Sequence, residues 1–145
     1  MITKSFVLAV LSVCVATGTF AHDGVKNPAV KARMDSMGTI RENVKLLGTM
    51  AKGGTAFDAA AAQLAAEAIA REAARTPGLF GSNEDDPLSE ARASIWDSFD
   101  DFTAKAESLE DAAMSAQNIK TIEDLATALP AIGASCKACH ATYRE

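Results

Sequence analysis

The amino-acid sequence predicts an all-α fold, an antiparallel bundle of four helices. In four separate stretches, apolar residues recur at alternating steps of three and four, which places their side chains on one face of a helix. Alanine is abundant and runs of β-branched residues are absent, so no stretch indicates a strand. The connections between the four stretches are short, and short connections favour antiparallel neighbours.

The first 21 residues have the pattern of a secretory signal peptide. Lys4 supplies the positive start, residues 6–15 form a short apolar run, and residues 19–21 (Thr-Phe-Ala) form a small-x-small cleavage site. The run is too short to span a bilayer stably. A lipoprotein leader cut before Cys14 is disfavoured, because Val13 is large for the position that precedes the cysteine.

We expect residues 22–145 to form one exported, acidic domain. The whole sequence has a formal net charge of −5, and the predicted leader contains one lysine and no acid. This charge argues against nucleic acid as a partner, and no polybasic segment indicates a membrane surface. We therefore predict a periplasmic protein that is not inserted in the membrane after its leader is removed.

The first helix is predicted to begin at Asn27-Pro28, a capping residue followed by a proline at the first helical position. It runs to about Ala51, before a pair of glycines. Its apolar stripe consists of Val30, Met37, Ile40, Val44, Leu47 and Ala51. Arg33 falls on the same stripe, where a guanidinium is costly without a partner.

The second helix is expected to start after Thr55, with Asp58 completing a capping-box-like pair, and to end near Arg75. Its inward residues are mostly alanines. Thr76-Pro77-Gly78 is predicted to stop it. The following loop contains the acidic run at 84–86, which is better explained as a solvated surface than as a cation site.

The third helix is predicted to start at Asp86-Pro87 or at Ser89 and to reach about Gln117. It carries the most regular heptad pattern in the chain, formed by Ile95, Phe99, Phe102, Ala106, Leu109, Ala113 and Ala116. The aromatic residues of this stripe are expected to lie in the core. The alternative interpretation is that they contact the edge of a cofactor.

The fourth helix is capped by Thr121, with Asp124 completing the capping box. Its stripe continues through Ile132 to Cys136 and Cys139, so that both cysteines face inward. Pro130 is predicted to kink this helix or to break one of its turns.

Cys136, Cys139 and His140 spell C-x-x-C-H, the attachment signature of a c-type haem. Two thiols three residues apart on one helical face can add to the two haem vinyl groups, and His140 then offers its imidazole to the iron. A structural zinc site would need four Cys or His ligands, and outside the motif the sequence offers only Cys14 and His22. A thioredoxin-like motif would accompany a βαβ unit. The predicted cofactor is one covalently bound haem c per chain, placed inside the bundle.

A C-x-x-C-H motif at the end of the last of four helices resembles the class II cytochromes c, the cytochrome c′ and cytochrome c-556 type. The resemblance spans about residues 28–145. It includes the motif with the following Tyr143-Arg144, and also Leu79-Phe80, Ile95-Trp96 and Arg33-x-x-x-Met37. It implies a four-helix bundle holding haem c and redox partner proteins in the periplasm, and it leaves a homodimer open.

The resemblance places Met37 at the family's distal position, opposite His140. This residue is a ligating methionine in cytochrome c-556 and a non-ligating residue in cytochrome c′. The segment from Met37 to Gly53 is more similar to the c-556 branch, so we expect Met37 to bind the iron, with Met34 and Met50 as competing thioethers. The resemblance also implies a haem propionate as the partner of Arg33.

Three classes of function follow from these expectations. The leading hypothesis is an electron carrier with a low-spin haem held by His140 and Met37. The alternative is a five-coordinate cytochrome c′ that takes nitric oxide or carbon monoxide at an open distal face. An enzyme such as a haem peroxidase ranks lowest, because it would need a distal acid or base and His140 is the only histidine inside the predicted bundle.

Overall fold

The chain forms a helical bundle in the computed structural model, which describes residues 24–145. Its helices are α1 (Pro28–Ala51), α2 (Ala59–Leu79), α3 (Ser94–Asp97), α4 (Phe99–Ser115) and α5 (Ile122–Tyr143), and a 3₁₀ turn at Ala116–Asn118 continues α4. The predicted all-α bundle is confirmed: α2 packs against α1 and α4, and α5 packs against α4 and α1. The predicted leader lies outside the described residues.

The first and last predicted helices begin where the capping residues indicated. The Asn27 side chain accepts hydrogen bonds from the amides of Ala29 and Val30, and Pro28 occupies the first helical position. Thr121 and Asp124 form the expected capping box at the start of α5. Short polar side chains on extended residues accept hydrogen bonds from the free amides of these first turns. Such capping residues can be recognised in the sequence itself.

The predicted ends of the second helix are wrong. Asp58 itself is the N-cap, because its carboxylate accepts the amide of Ala61, so α2 starts at Ala59 and Thr55 takes no part. The helix continues past Arg75 through Pro77 to Leu79. A proline this close to the C-terminal end removes a single helical hydrogen bond. The Thr76 hydroxyl meanwhile donates to the Glu72 carbonyl, 2.8 Å away.

The predicted start of the third helix is also wrong. The Asp86 carboxylate accepts the amides of Lys26, Asn27 and Leu88, so it holds a turn against the start of α1. Residues 80–93 therefore form a connecting segment without a regular helix. The helix begins with the single turn α3, is interrupted at Ser98 (φ −134°, ψ 48°) and resumes as α4.

Pro130 does not break α5, which runs without interruption from Ile122 to Tyr143, so the predicted broken turn is wrong. Proline removes one hydrogen bond from a helix interior. The neighbouring turns are held by Leu125 and Ile132, which are among the most deeply buried side chains of the bundle. Burying an aliphatic side chain of this size contributes about 1.5–3 kcal/mol, enough to offset much of the lost helical bond.

Two apolar clusters make up the core. The larger cluster joins the four long helices through residues such as Leu47, Ile69, Leu109 and Leu125. The smaller cluster lies near the C-terminal end of α5 and consists of Phe80, Ile95, Phe102 and Tyr143. Cys136 packs against the larger cluster and Cys139 against the smaller one, so the predicted motif lies where the two meet.

Within residues 24–145, none of the helices combines the length and the hydropathy that crossing a bilayer requires.

Candidate haem site

The C-x-x-C-H motif occupies the last two turns of α5 and faces a cavity of about 550 Å³. Cys136, Cys139 and His140 all line this cavity, which confirms that the two thiols share one helical face. Both cysteines are half-buried free thiols rather than a disulfide. The volume falls within the range of cofactor pockets, roughly 300–1,000 Å³.

The cavity has mostly apolar walls, with a few charged residues among them. α1 contributes residues of its stripe and α4 contributes residues of its heptad, among them Val30, Met37, Ile40, Val44, Phe102, Ala106 and Leu109. Arg41, Glu90, Lys105 and Arg144 contribute charged side chains to the lining. A flat, apolar group with charged substituents at one edge, such as a haem, fits walls of this composition.

Burial raises the pKa of the Cys136 and Cys139 thiols above the ordinary value. For Cys139, Lys105 acts in the opposite direction without cancelling the effect of burial. Neither thiol is activated in the way a catalytic cysteine is, because activation requires a lowered pKa.

His140 lines the cavity and lies in the last turn of α5. Burial lowers the pKa of its imidazole, and the neighbouring Arg144 lowers it further, whereas Glu90 raises it. The lowered pKa favours the neutral imidazole, which is the form that binds a metal. The donor set of two thiols and one neutral imidazole at an apolar cavity fits haem c.

The structure brings two of the three candidate methionines to this cavity. Met37 and Met34 both line it, and Met37 also packs against the larger core cluster. Met50 is 5 % exposed and belongs to the larger core cluster itself. Met37 therefore stays the expected ligand and Met34 its competitor, whereas Met50 fills the core.

Arg33 finds its partners within the protein. Its guanidinium donates to the carbonyls of Leu79, Ser82 and Glu84 at 2.9, 2.6 and 2.7 Å. The side chain lines the cavity and the residue is 3 % exposed. Burial lowers its pKa, while Glu84 and Asp85 raise it. A propionate is thus not needed to explain the buried charge, and contact with one remains a prediction.

Several hydrogen bonds near His140 could not be predicted from any pattern in the sequence. The Tyr143 hydroxyl donates to the Asp101 carboxylate at 2.5 Å, and the Arg144 Nε donates to the Glu90 carboxylate at 2.6 Å. Backbone bonds also run from the Arg92 amide to the Tyr143 carbonyl and from the Glu145 amide to the Glu90 carbonyl. Together these contacts fix the turn that carries His140 against α4 and the connecting segment.

We expect Tyr143→Phe to destabilise the bundle in a pH-dependent way. The bond lowers the pKa of Asp101 below 3.8, so its stabilisation is present above that value and is lost as pH falls through the lower folded pKa. The same bond, together with burial, raises the pKa of Tyr143 from 10.0 to about 12. Its contribution is therefore complete below pH 10 and is lost as pH rises toward 12.

Urea unfolding of wild type and Tyr143→Phe from acid to alkaline pH measures this effect. The difference in midpoint should be greatest near neutral pH and should shrink at both ends. Thr142→Ala is the matched control, because its exposed hydroxyl bonds only within α5. A difference between wild type and Tyr143→Phe that is independent of pH would show that the lost hydroxyl acts through packing alone.

Fold and site together define a class of protein, a helical bundle built to hold a covalently attached haem. A family model described as cytochrome C′ matches residues 28–144, and the chain belongs to this family. Cytochromes c′ and c-556 carry covalently attached haem c with its iron.

Two curated relatives represent the two types. The chain is 35 % identical to a cytochrome c-556 of Agrobacterium fabrum, over 97 % of this chain and 94 % of the relative. It is 34 % identical to a cytochrome c′ of Pararhodospirillum photometricum, over 80 % of this chain and 95 % of that protein. The solved cytochrome c prime from Shewanella frigidimarina superposes with a TM-score of 0.73 at 30 % identity, covering 81 % of this chain and 94 % of that one.

Proposed function

We propose that this chain is a periplasmic electron carrier whose haem c is attached to Cys136 and Cys139, with the iron held between His140 and Met37. The observation that carries the proposal is that one apolar cavity is lined both by the motif on α5 and by Met37 on α1. The 35 % identity to a cytochrome c-556 over nearly the whole chain supports the same assignment.

The haem supplies the chemistry, a reversible one-electron change at its iron. The protein residues would set how readily that change occurs. Ligation by the imidazole of His140 together with the thioether of Met37 would favour the ferrous state, as would apolar walls that keep water from the iron. Helices packed on both sides of the cavity hold the two ligands in fixed positions.

The surroundings of the cavity support a carrier rather than an enzyme. Apart from two arginines, the α1 wall around Met37 consists of apolar residues. Because arginine stays protonated in proteins, this wall offers no general acid or base. Glu90 is the carboxylate in the lining, and its side chain is paired with Arg144. We therefore propose that the physiological reaction is electron exchange with redox partner proteins in the periplasm.

The second candidate is a five-coordinate cytochrome c′ that binds small gases. The 34 % identity to a cytochrome c′ favours it. In this alternative Met37 would be a wall of the distal face and not a ligand.

Carbon monoxide distinguishes the two functions. We expect the absorption spectrum of the ferrous wild-type protein to stay unchanged under carbon monoxide at neutral pH, because Met37 fills the sixth position. The Met37→Ala variant provides the positive control, since its iron should bind the gas at once. Full and rapid binding by the wild type would reject the carrier and establish the gas-binding alternative.

A further inference from the structure

Arg33 lies at the centre of a buried cluster of contacts, and the proposed ligation of the iron by His140 and Met37 gives no reason for them. Its three hydrogen bonds reach the last residue of α2 and two positions of the connecting segment, residues 80–93. Its guanidinium carbon also lies 4.6 Å from the ring centre of Phe80 and 5.4 Å from that of Trp96. A planar, charged fork satisfies backbone carbonyls and stacks on aromatic rings at the same time.

Other bonds hold the same part of the chain. The Trp96 indole donates to the Phe80 carbonyl at 2.8 Å, which ties the start of the connecting segment to α3. The Asp86 carboxylate accepts the amides of Lys26 and Asn27, which ties its middle to the start of α1. The far end of the segment is paired with the C-terminus beyond His140 through an antiparallel bridge between Ala91 and Arg144.

The connecting segment is also a wall of the haem cavity. Five of its residues line the cavity: Phe80, Leu88, Ser89, Glu90 and Ala91. Leu88, one of these five residues, is 49 % exposed. A segment with no helix of its own keeps this position only through the side chains and backbone bonds that anchor it.

We propose that Arg33 is a positioning residue, which holds the connecting segment as the wall of the cavity and so sets how closely water approaches the haem. The proposal rests on the haem site at Cys136 and Cys139, and it does not depend on whether Met37 binds the iron. A propionate partner would use only the charge of Arg33. The wall requires its planar fork, because a lysine ammonium cannot reach three carbonyls and stack on two rings.

Substitutions of the holoprotein separate the two roles. Arg33→Lys keeps the charge and removes the fork, whereas Trp96→Phe loosens the same segment without touching the charge. We expect amide hydrogen exchange within residues 80–93 to become at least about tenfold faster in Arg33→Lys, and faster to a smaller extent in Trp96→Phe. Both variants should lower the reduction potential, since water near the haem favours the ferric state.

Arg71→Lys is the matched control, because Arg71 is an exposed arginine of α2 paired with Glu67. It should change neither the exchange of the connecting segment nor the potential. The proposal is overturned if Arg33→Lys keeps the wild-type exchange rates of the connecting segment and the wild-type potential while Arg33→Gln lowers the potential. That result would show that Arg33 acts through its charge alone. If Arg33→Lys does not fold, Trp96→Phe decides: faster exchange with an unchanged potential would refute the proposal. Wild-type protein without covalent haem would instead contradict the proposed function.

Discussion

Replacing both Cys136 and Cys139 with alanine is expected to leave the chain without haem and largely unfolded. The two cysteines lie where the larger and smaller core clusters meet, beside a cavity of about 550 Å³. Unfilled apolar space costs about 24 cal/mol per Å³. Even if only part of the cavity stays dry, the loss amounts to several kcal/mol. A domain of this size is stable by only about 5–15 kcal/mol.

Two measurements check this prediction. Acid–acetone extraction of the wild type should leave the haem on the polypeptide, and circular dichroism of the double variant should show a large loss of helix. Lys137→Ala is the matched control, because Lys137 stands between the two cysteines and is exposed. Pigment that extracts from the wild type would disprove the thioether bonds, and a fully helical double variant would disprove the structural role of the haem.

Met37→Ala is expected to convert the ferric haem from low spin to high spin. The loss of the thioether ligand should also lower the reduction potential, because a His/Met pair favours the ferrous state more than a single imidazole does. It should open the iron to carbon monoxide. The first two effects can be read from the absorption spectrum during a redox titration.

The other two methionines serve as controls that the structure distinguishes. Met34→Ala removes a thioether from the same cavity, and it should leave the spin state unchanged if Met37 is the ligand. Met50→Ala removes a core side chain and should cost about 2–5 kcal/mol of stability with no spectral change. A low-spin Met37→Ala variant would show that another side chain holds the sixth position, and Met34→Ala would then test the obvious candidate.

The features that could be predicted from the sequence are those encoded over a few residues. Asn27-Pro28 and the Thr121–Asp124 capping box marked two helix starts, because a cap acts within its own turn. The heptad of the third stretch predicted the buried residues Phe102, Ala106 and Leu109, because helical spacing alone assigns a face. The C-x-x-C-H motif placed both thiols at the cavity for the same reason.

The features that could not be predicted depend on partners far apart in the sequence. The partners of Arg33 are backbone carbonyls, and any residue type can supply those, so the sequence pointed only to a missing counter-charge. The Asp86 carboxylate could have started a helix at Pro87. It instead satisfies amides about 60 residues away, which only the folded chain brings within reach. The bond between Tyr143 and Asp101 likewise joins two helices.

Electron paramagnetic resonance of the ferric wild-type protein at neutral pH tests the central claim most directly, because the spin state reports whether a sixth ligand binds the iron opposite His140. The His140–Met37 assignment predicts a low-spin signal that becomes high-spin in Met37→Ala and stays low-spin in Met34→Ala. A high-spin signal in the wild type would contradict the electron-carrier assignment and would place this chain with the five-coordinate cytochromes c′.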